Sequence, residues 1–297
     1  MHNGLTSSDL ETARERIAPY IRRTPLTHSA PLSERAGAQL WLKQENRQHT
    51  GSFKPRGALN KILSLSGAER ARGIVAASAG NHALGVAYAC RTLGLEQADI
   101  FVQANAAPAK LAKLRRYPVE LHLVGQTFEE AQQAALAQAR ASGAVYVSAY
   151  DDPAVIAGQG TCGLEILEEL KEFDALIVPV GGGGLIAGLA LAVKAKRPAV
   201  RVIGVNAAAS PSALLSFQRG YALDPYEHEP TLAQGLAGGF GKIPFQLARE
   251  LVDEIVLVTE SELGQAILDL IDSCERTASV RENKRPKQAG SADLTAA

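Results

Sequence analysis

Short runs rich in β-branched residues alternate along this chain with longer stretches rich in alanine, leucine and glutamate. The short runs are typical of buried strands, and stretches such as 127–141 and 163–172 are typical of helices. Strands and helices that alternate at this spacing form mostly parallel sheets covered by helices. The sequence therefore predicts an α/β fold. The predicted strands are Gly73 to Ala77, Asp99 to Ala104, Val119 to Val124, Ala144 to Ala149, Ala175 to Val180, Val200 to Val205 and Glu254 to Val258.

The composition favours a small-molecule ligand. Lysine plus arginine and aspartate plus glutamate number 31 each, so no net field attracts nucleic acid or an anionic membrane. The three cysteines, Cys90, Cys162 and Cys274, form no CxxC pair, and the first residues contain no apolar signal segment. We therefore expect a cytoplasmic protein. The histidines and cysteines show no metal-ligand spacing, so we expect no metal site.

One uncharged stretch has about the length of a membrane span. It runs for 19 residues from Ala175 to Val193. Pro179 and four consecutive glycines interrupt it, and such residues favour a strand, a loop and a buried helix over a single membrane helix.

The glycine run Gly181 to Gly184 lies between a predicted strand and a predicted helix, Leu185 to Lys196. Residues without Cβ allow unusual backbone angles and close approach of a ligand. The N–H groups at the start of the following helix favour an anion. The run therefore predicts a phosphate-binding loop.

A dinucleotide-binding loop is the competing interpretation of the same segment. Gly182, Gly184 and Ala187 satisfy the Gly-x-Gly-x-x-Gly/Ala pattern. That pattern also requires an acidic residue at the end of the next strand to bind the ribose, and this strand is followed by Asn206. A nicotinamide-dependent oxidoreductase of the Rossmann type is therefore the second hypothesis.

A lysine lies in a predicted helix start within Thr50 to Ala58. Ser52 is a candidate N-cap, and Pro55 is tolerated only in the first turn of a helix. Lys54 then lies at the positive end of a helix, where the dipole disfavours an ammonium and favours a nucleophilic amine. The alternative is a surface lysine in a basic turn beside Arg56.

A second strand-to-helix turn comprises Ser78, Ala79, Gly80, Asn81 and His82. Its backbone N–H groups are suited to a carboxylate, and the Asn81 side chain could bind an aromatic hydroxyl. The alternative is an ordinary helix start with Ser78 or Asn81 as the cap.

Four segments, in order, resemble one enzyme group. They are LKQENRQHTGSFKPRGALN, ASAGNHALGVAYA, GQGTCGLEILEEL and PVGGGGLIAGLA. Between about Thr24 and about Leu270 the chain resembles the fold-type-II (tryptophan synthase β-like) pyridoxal-phosphate (PLP) enzymes, in particular the threonine/serine dehydratase and serine racemase group. The resemblance implies a homodimer and two domains, each a mostly parallel sheet flanked by helices. The large PLP-binding domain comprises 1–48 and 149–271, and the small domain comprises 49–148.

The resemblance also implies roles for the residues of these motifs. Lys54 is the Schiff-base lysine and the base for the Cα proton, Phe53 flanks the cofactor, and Asn81 meets its ring hydroxyl. Ser78 to His82 bind the substrate carboxylate, and Gly181 to Gly184 with Leu185 bind the phosphate. The implied reaction is β-elimination of water from a hydroxy amino acid such as L-threonine or L-serine, which gives a 2-keto acid and ammonia.

Two departures bear on the reaction. Racemases of this group have a serine at the position of Ala79, so elimination is favoured over a serine racemase-like isomerisation. Members of the group that bind a cation use acidic residues where this chain has Asn206, Ser210 and Ser212, which agrees with the expected lack of a metal.

The chain departs from the family after Leu270. Residues 272–297 hold nine charged side chains and few large apolar ones, which predicts a disordered tail. We find neither the small-residue helix of the family nor its Ser/Thr-Gly-Gly-Asn segment, and Ser291 and Thr295 are weak substitutes. The sequence thus predicts an atypical, truncated C-terminus and reduced activity, and a catalytically weak PLP-binding homologue stays open.

Overall fold

The computed structural model describes the backbone of residues 4–283 and the side chains of residues 4–271. Its strands are β1 (Leu26–His28), β2 (Trp41–Lys43), β3 (Ile74–Ala77), β4 (Ala98–Val102), β5 (Glu120–Leu123), β6 (Val145–Tyr146), β7 (Ala175–Pro179), β8 (Arg201–Ala207) and β9 (Glu254–Val258).

The helices of the described residues alternate with these strands. They are α1 (Ser7–Ile17), α2 (Ala30–Ala36), α3 (Lys54–Ser64), α4 (Gly67–Ala71), α5 (Asn81–Thr92), α6 (Pro108–Leu114), α7 (Phe128–Ser142), α8 (Pro153–Glu169), α9 (Gly184–Lys196), α10 (Ser212–Arg219), α11 (Lys242–Leu251) and α12 (Glu260–Asn283).

Two parallel sheets form the centre of the fold. The first has the order β5-β4-β3-β6 and the second the order β7-β8-β9, and every strand pair in them is parallel. The predicted α/β class and all seven predicted strands are confirmed, with ends shifted by a few residues. The antiparallel pair β1-β2 was not predicted, because three-residue strands such as Leu26–His28 show no readable alternation.

The predicted division at residues 48/49 and 148/149 stays a prediction. The four strands of the first sheet lie between Ile74 and Tyr146, and those of the second lie between Ala175 and Val258. Each sheet has its own buried cluster, which includes Ile74 and Ile100 in the first and Val178 in the second.

Helix α8 connects the two sheets through close backbone contacts. A Cβ on Gly158 would lie 2.5 Å from the Arg56 carbonyl oxygen in α3, and a Cβ on Gly188 of α9 would lie 2.5 Å from the Ile156 carbonyl oxygen. The glycines therefore allow α8 to pack tightly between α3 and α9. The helix begins ten residues before the predicted helix 163–172, in a part whose glycines, Gly158 and Gly160, have a low helix propensity and so hid the helix in the sequence.

The uncharged stretch from Ala175 to Val193 forms strand β7, the glycine loop and most of helix α9, as predicted. Of the helices in the described part of the chain, none combines the length and apolar character that a membrane crossing requires.

The described part of the chain begins and ends near helices. The first helix is capped by Thr6 and Asp9, which exchange hydrogen bonds; Thr6 has the extended backbone that a cap requires. At the other end, the backbone of α12 continues to Asn283, and the predicted disordered tail of residues 272–297 stays a prediction. The rest of that segment, including Ser291 and Thr295, lies outside the described residues.

A buried guanidinium joins the N-terminal strands to α3 and α8. Arg56 is 0% exposed, so it is not part of a surface turn as the alternative interpretation assumed. It donates to both carboxylate oxygens of Glu45 at 2.8 and 2.9 Å and to both of Glu165 at 2.7 and 3.0 Å. Thr161 accepts a further hydrogen bond, and Lys43 lies 2.7 Å from Glu165. We call these five residues the Arg56 cluster.

Replacing Arg56 with methionine tests this cluster. Removing one partner of a buried ion pair costs about 3 to 5 kcal/mol, because the remaining carboxylates stay buried. We expect the free energy of unfolding, measured by urea titration, to fall by about 3 kcal/mol. The matched control is Arg201→Met, which removes an exposed 2.7 Å pair with Glu254 and should cost no more than about 1 kcal/mol. Equal losses in the two variants would contradict the special role of the cluster.

Candidate active site

Lys54 is the first residue of α3, as predicted, but the helix is not capped by Ser52. The N-cap is Phe53, whose backbone is already helical and whose side chain makes no cap hydrogen bond. Ser52 lies one residue earlier, and its buried hydroxyl has no hydrogen-bond partner. Pro55 occupies the second position of the helix, where its missing N–H does no harm.

The Lys54 amine is enclosed by protein. The side chain is partly buried, and Nζ donates a 2.9 Å hydrogen bond to the Ala149 carbonyl oxygen. The Phe53 ring centroid lies 5.2 Å from Nζ. Burial lowers the pKa of Lys54 to about 8, because desolvation penalises the ammonium form. Desolvation, and not the helix dipole that the sequence suggested, is the cause of this lowered pKa.

The turn after β3 lies beside this lysine. A Cβ on Gly85 of α5 would lie 3.0 Å from the Lys54 carbonyl carbon, so the starts of α3 and α5 are packed against each other. The N-cap of α5 is Gly80, not Ser78 or Asn81. The Ser78 hydroxyl instead accepts a 3.0 Å hydrogen bond from the Gly80 N–H, which fixes the turn.

The last two residues of the turn differ in their surroundings. Asn81 is exposed at the start of α5, whereas the His82 ring is buried and bonded through Nε2 to the Val147 carbonyl oxygen at 2.9 Å. Burial, with a further contribution from the nearby Lys54 charge, lowers the pKa of His82 to about 3. In this arrangement His82 is neutral and its ring bonds the protein, so only its backbone N–H is suited to a substrate carboxylate.

The glycine loop leads from β7 into α9. Gly183 has a φ of +90° and serves as the N-cap of α9. A Cβ on Gly181 would lie 2.9 Å from the Leu236 backbone, and Cβ atoms on Gly182 and Gly183 would overlap the rings of Tyr150 and Phe240. The first N–H groups of α9, from Gly184 and Leu185 onward, have no partner within the helix. The loop therefore packs its Cα atoms against protein and presents backbone donors suited to an anion.

The lysine and the glycine loop are close in space. Lys54 Nζ bonds the Ala149 carbonyl, and Tyr150 Cα lies 3.0 Å from the position of a Gly184 Cβ. These contacts, joined through one peptide unit, put the amine within about 10 Å of the loop. The structure thus brings together the two motifs that the sequence placed 127 residues apart.

Two residues that line this region were not recognised in the sequence. Tyr150 packs against Gly182 and Gly241, and Asp224 accepts its hydroxyl hydrogen. The sequence offered one signal for Tyr150. Asp152 followed by Pro153 is typical of a helix start, and Tyr150 lies just before this start of α8. Nothing local identifies Asp224.

A different polar group holds the start of the glycine loop. The buried Asn206 amide donates to the carbonyl oxygens of Val180 and Ser210 at 3.1 and 2.9 Å. Within the residues whose side chains are described, no group of three or more histidine, cysteine, aspartate or glutamate residues could hold a metal ion.

Comparisons with known proteins identify the family of this chain. The model of the family "Pyridoxal-phosphate dependent enzyme" matches residues 17–278, so the chain belongs to that family. Within it, the chain falls in the fold-type-II threonine/serine dehydratase and serine racemase group.

Three relatives illustrate the likeness. The L-threonine ammonia-lyase of Thermotoga maritima is 46% identical over 92% of this chain and 68% of its own length. That of Geobacter sulfurreducens is 44% identical over 89% of this chain and 65% of its own length. The serine racemase structure from Dictyostelium discoideum superposes with a TM-score of 0.85 at 32% identity, over 91% of this chain and 87% of that one. The chain thus spans about two thirds of the two ammonia-lyases.

The residues present fit pyridoxal phosphate. One end of the site offers a desolvated primary amine that reacts with an aldehyde. The other end offers glycine backbone whose Cβ directions are filled by protein and whose helix start favours a phosphate. The contacts described above put these two ends within about 10 Å of each other.

The Gly182→Ala variant tests the loop. The added methyl group would overlap the Tyr150 ring, so the loop has to shift and its donors lose their alignment. We expect the dissociation constant for PLP, measured by fluorescence titration, to rise at least tenfold. Gly67→Ala is the matched control, because a Cβ there meets nothing within 4 Å, and it should bind PLP as the unmodified protein does. Unchanged affinity in Gly182→Ala would contradict phosphate binding by this loop.

The lowered pKa of Lys54 predicts pH-dependent reactivity. The neutral fraction of the amine rises with pH and reaches one half near pH 8, whereas an ordinary lysine needs roughly pH 10.4. Trace labelling of the cofactor-free protein with acetic anhydride, read by mass spectrometry, should therefore give a half-maximal rate at Lys54 near pH 8. A midpoint above pH 10 would show that the amine is solvated and not desolvated as described.

Proposed function

We propose that this chain is a PLP-dependent ammonia-lyase that acts on a hydroxy amino acid such as L-threonine or L-serine. In this reaction the β-hydroxyl first leaves as water. Hydrolysis then takes up one water molecule and releases ammonia and a 2-keto acid. The approach of the Lys54 amine to the glycine loop carries this proposal. The identity of 42 to 46% with threonine ammonia-lyases and dehydratases supports the reaction type.

The proposed cofactor contacts follow the observed positions. Lys54 holds the aldehyde end, and the N–H groups of Gly181 to Gly184 and Leu185 hold the phosphate. Phe53, beside the amine, flanks the ring, and the exposed Asn81 side chain meets the ring hydroxyl. When bound, pyridoxal phosphate supplies a conjugated ring that withdraws electrons from the substrate Cα.

The protein's own groups supply binding and proton transfer. The backbone N–H groups of Ser78 to His82, at the start of α5, are suited to the substrate carboxylate. Lys54 is the proposed base for the Cα proton, because its amine is substantially neutral near pH 8. The Ala149 carbonyl, 2.9 Å from Nζ, orients that amine.

Isomerisation is the second candidate, because the Dictyostelium discoideum serine racemase has the same fold. Ala79 argues against it. The resemblance places a serine at this position in racemases, and the methyl group of alanine cannot return a proton to the opposite face of the substrate. Elimination therefore remains the favoured outcome.

The wider organisation remains part of the proposal. We propose a large PLP-binding domain of residues 1–48 and 149–271, a small domain of residues 49–148, a homodimer and a cytoplasmic location. The two separate sheets support the domain division, and the resemblance supports the dimer. Light scattering of the purified protein would determine the oligomeric state.

Turnover measurements test the proposed activity. The protein loaded with PLP should release 2-keto acid from L-threonine or L-serine without forming D-serine, and borohydride should fix the cofactor on Lys54. Lys54→Ala should reduce keto-acid release to background, because both the attachment point and the base are lost. The matched control, Lys61→Ala, removes another lysine of α3, one that pairs with Asp152, and should stay within twofold of the unmodified rate.

Two results would change the proposal. Fixation of PLP on Lys54 without keto-acid release would identify a catalytically weak homologue. Fixation on a different lysine would contradict the proposed site.

A further inference from the structure

The Tyr150 ring occupies a slot whose walls are glycines. A Cβ on Gly182 would overlap the ring, and a Cβ on Gly241 would lie 2.8 Å from it. The Tyr150 backbone in turn lies 3.0 Å from a Gly184 Cβ position. The Gly241 N–H also donates a 3.2 Å hydrogen bond to the Gly182 carbonyl. The position of the ring and the position of the glycine loop therefore determine each other.

The hydroxyl of the same residue is bonded to a distant part of the chain. Tyr150 Oη donates its hydrogen to Asp224, with distances of 3.0 and 3.2 Å to the two carboxylate oxygens. Burial raises the pKa of the Tyr150 phenol, and the Asp224 charge raises it further. The phenol therefore stays protonated and acts as the donor.

Asp224 belongs to residues 221–241, which contain no helix or strand. This segment folds back on itself, because the Phe240 N–H donates to the Leu223 carbonyl at 2.8 Å. It also covers the loop, since Leu236 and Phe240 lie against the Cα atoms of Gly181 and Gly183. The Tyr150–Asp224 hydrogen bond thus links Tyr150, which contacts the loop, to a segment that contacts the loop through Leu236 and Phe240.

Tyr150 is also adjacent to the partner of the catalytic amine. The preceding residue, Ala149, supplies the carbonyl that accepts the Lys54 hydrogen bond. A displacement of Tyr150 would move this carbonyl and the glycine loop together. One residue therefore sets the spacing between the two ends of the cofactor site.

We propose that Tyr150, held by Asp224, is a positioning residue that fixes the glycine loop and its distance from the Lys54 amine. This inference rests on the proposed function, because it assigns the loop to the cofactor phosphate. Binding sites require placement of their donors to within about 0.5 Å, so loss of the hydroxyl bond should weaken phosphate binding even when the ring remains.

The test uses Tyr150→Phe, Asp224→Ala, Asp224→Asn and the double variant Tyr150→Phe/Asp224→Ala in the full chain. Tyr150→Phe and Asp224→Ala should each raise the PLP dissociation constant about fivefold to tenfold and shift the ³¹P resonance of the bound cofactor. Asp224→Asn keeps an oxygen that accepts the phenol hydrogen and should stay within twofold. The double variant should bind PLP no more weakly than whichever single variant binds it less tightly, because both changes remove the same hydrogen bond.

Tyr88→Phe is the matched control, since it removes a 2.7 Å hydrogen bond to the Tyr20 carbonyl away from the loop. It should leave the PLP affinity and the ³¹P resonance unchanged, and thermal unfolding without cofactor checks that every variant is folded. The inference would be overturned, and the proposed function left intact, by either of two results. One is a Tyr150→Phe variant with the same PLP affinity and ³¹P resonance as the unmodified protein, and the other is an equal loss of PLP affinity in Tyr88→Phe. Failure of the unmodified protein to bind PLP would overturn both.

Discussion

The arrangement of the site depends on the burial of one guanidinium between two carboxylates. Arg56 lies two residues after Lys54 and bonds Glu45, which follows β2, and Glu165, in the middle of α8. Two bidentate carboxylate contacts at once require the planar, five-donor group of arginine, and a lysine ammonium could not reproduce them. The Arg56 cluster therefore fixes where α3 starts relative to α8, and with it the direction of the Lys54 side chain.

The site combines helix starts with a desolvated amine. The first residues of α3, α5 and α9 are Lys54, Asn81 and Gly184, and the contacts of Gly85 and Tyr150 bring these starts together. Helix starts favour anions, and a ligand with a phosphate and a carboxylate supplies two. The buried His82 is neutral, and the Lys54 amine is half neutral near pH 8. The arrangement thus places the anion-binding helix starts beside an amine that loses its proton more readily than an ordinary lysine does.

The sequence predicted those features that depend on neighbours along the chain. Periodicity identified the seven strands of the parallel sheets, and the glycine run predicted an anion-binding loop. The candidate caps Ser52 and Ser78 were wrong, because the backbone angles decide where a helix begins, and they place Phe53 and Gly80 at the N-cap positions. The Arg56–Glu165 and Tyr150–Asp224 contacts were missed, because their partners are 109 and 74 residues apart along the chain.

The glycines of the loop are needed for packing within the protein as well as for contact with a ligand. Backbone donors could be offered to a phosphate by residues with side chains that point away from it. Here the directions away from the donors are already filled by Leu236, Tyr150 and Phe240. The protein's own packing therefore requires glycine at Gly181, Gly182 and Gly183, and a Cβ at Gly184 would be in tight contact with Tyr150. The positive φ of Gly183 adds a conformational reason at that position. Because the packing fixes the loop before a ligand arrives, the donors need little further ordering on binding, which favours affinity.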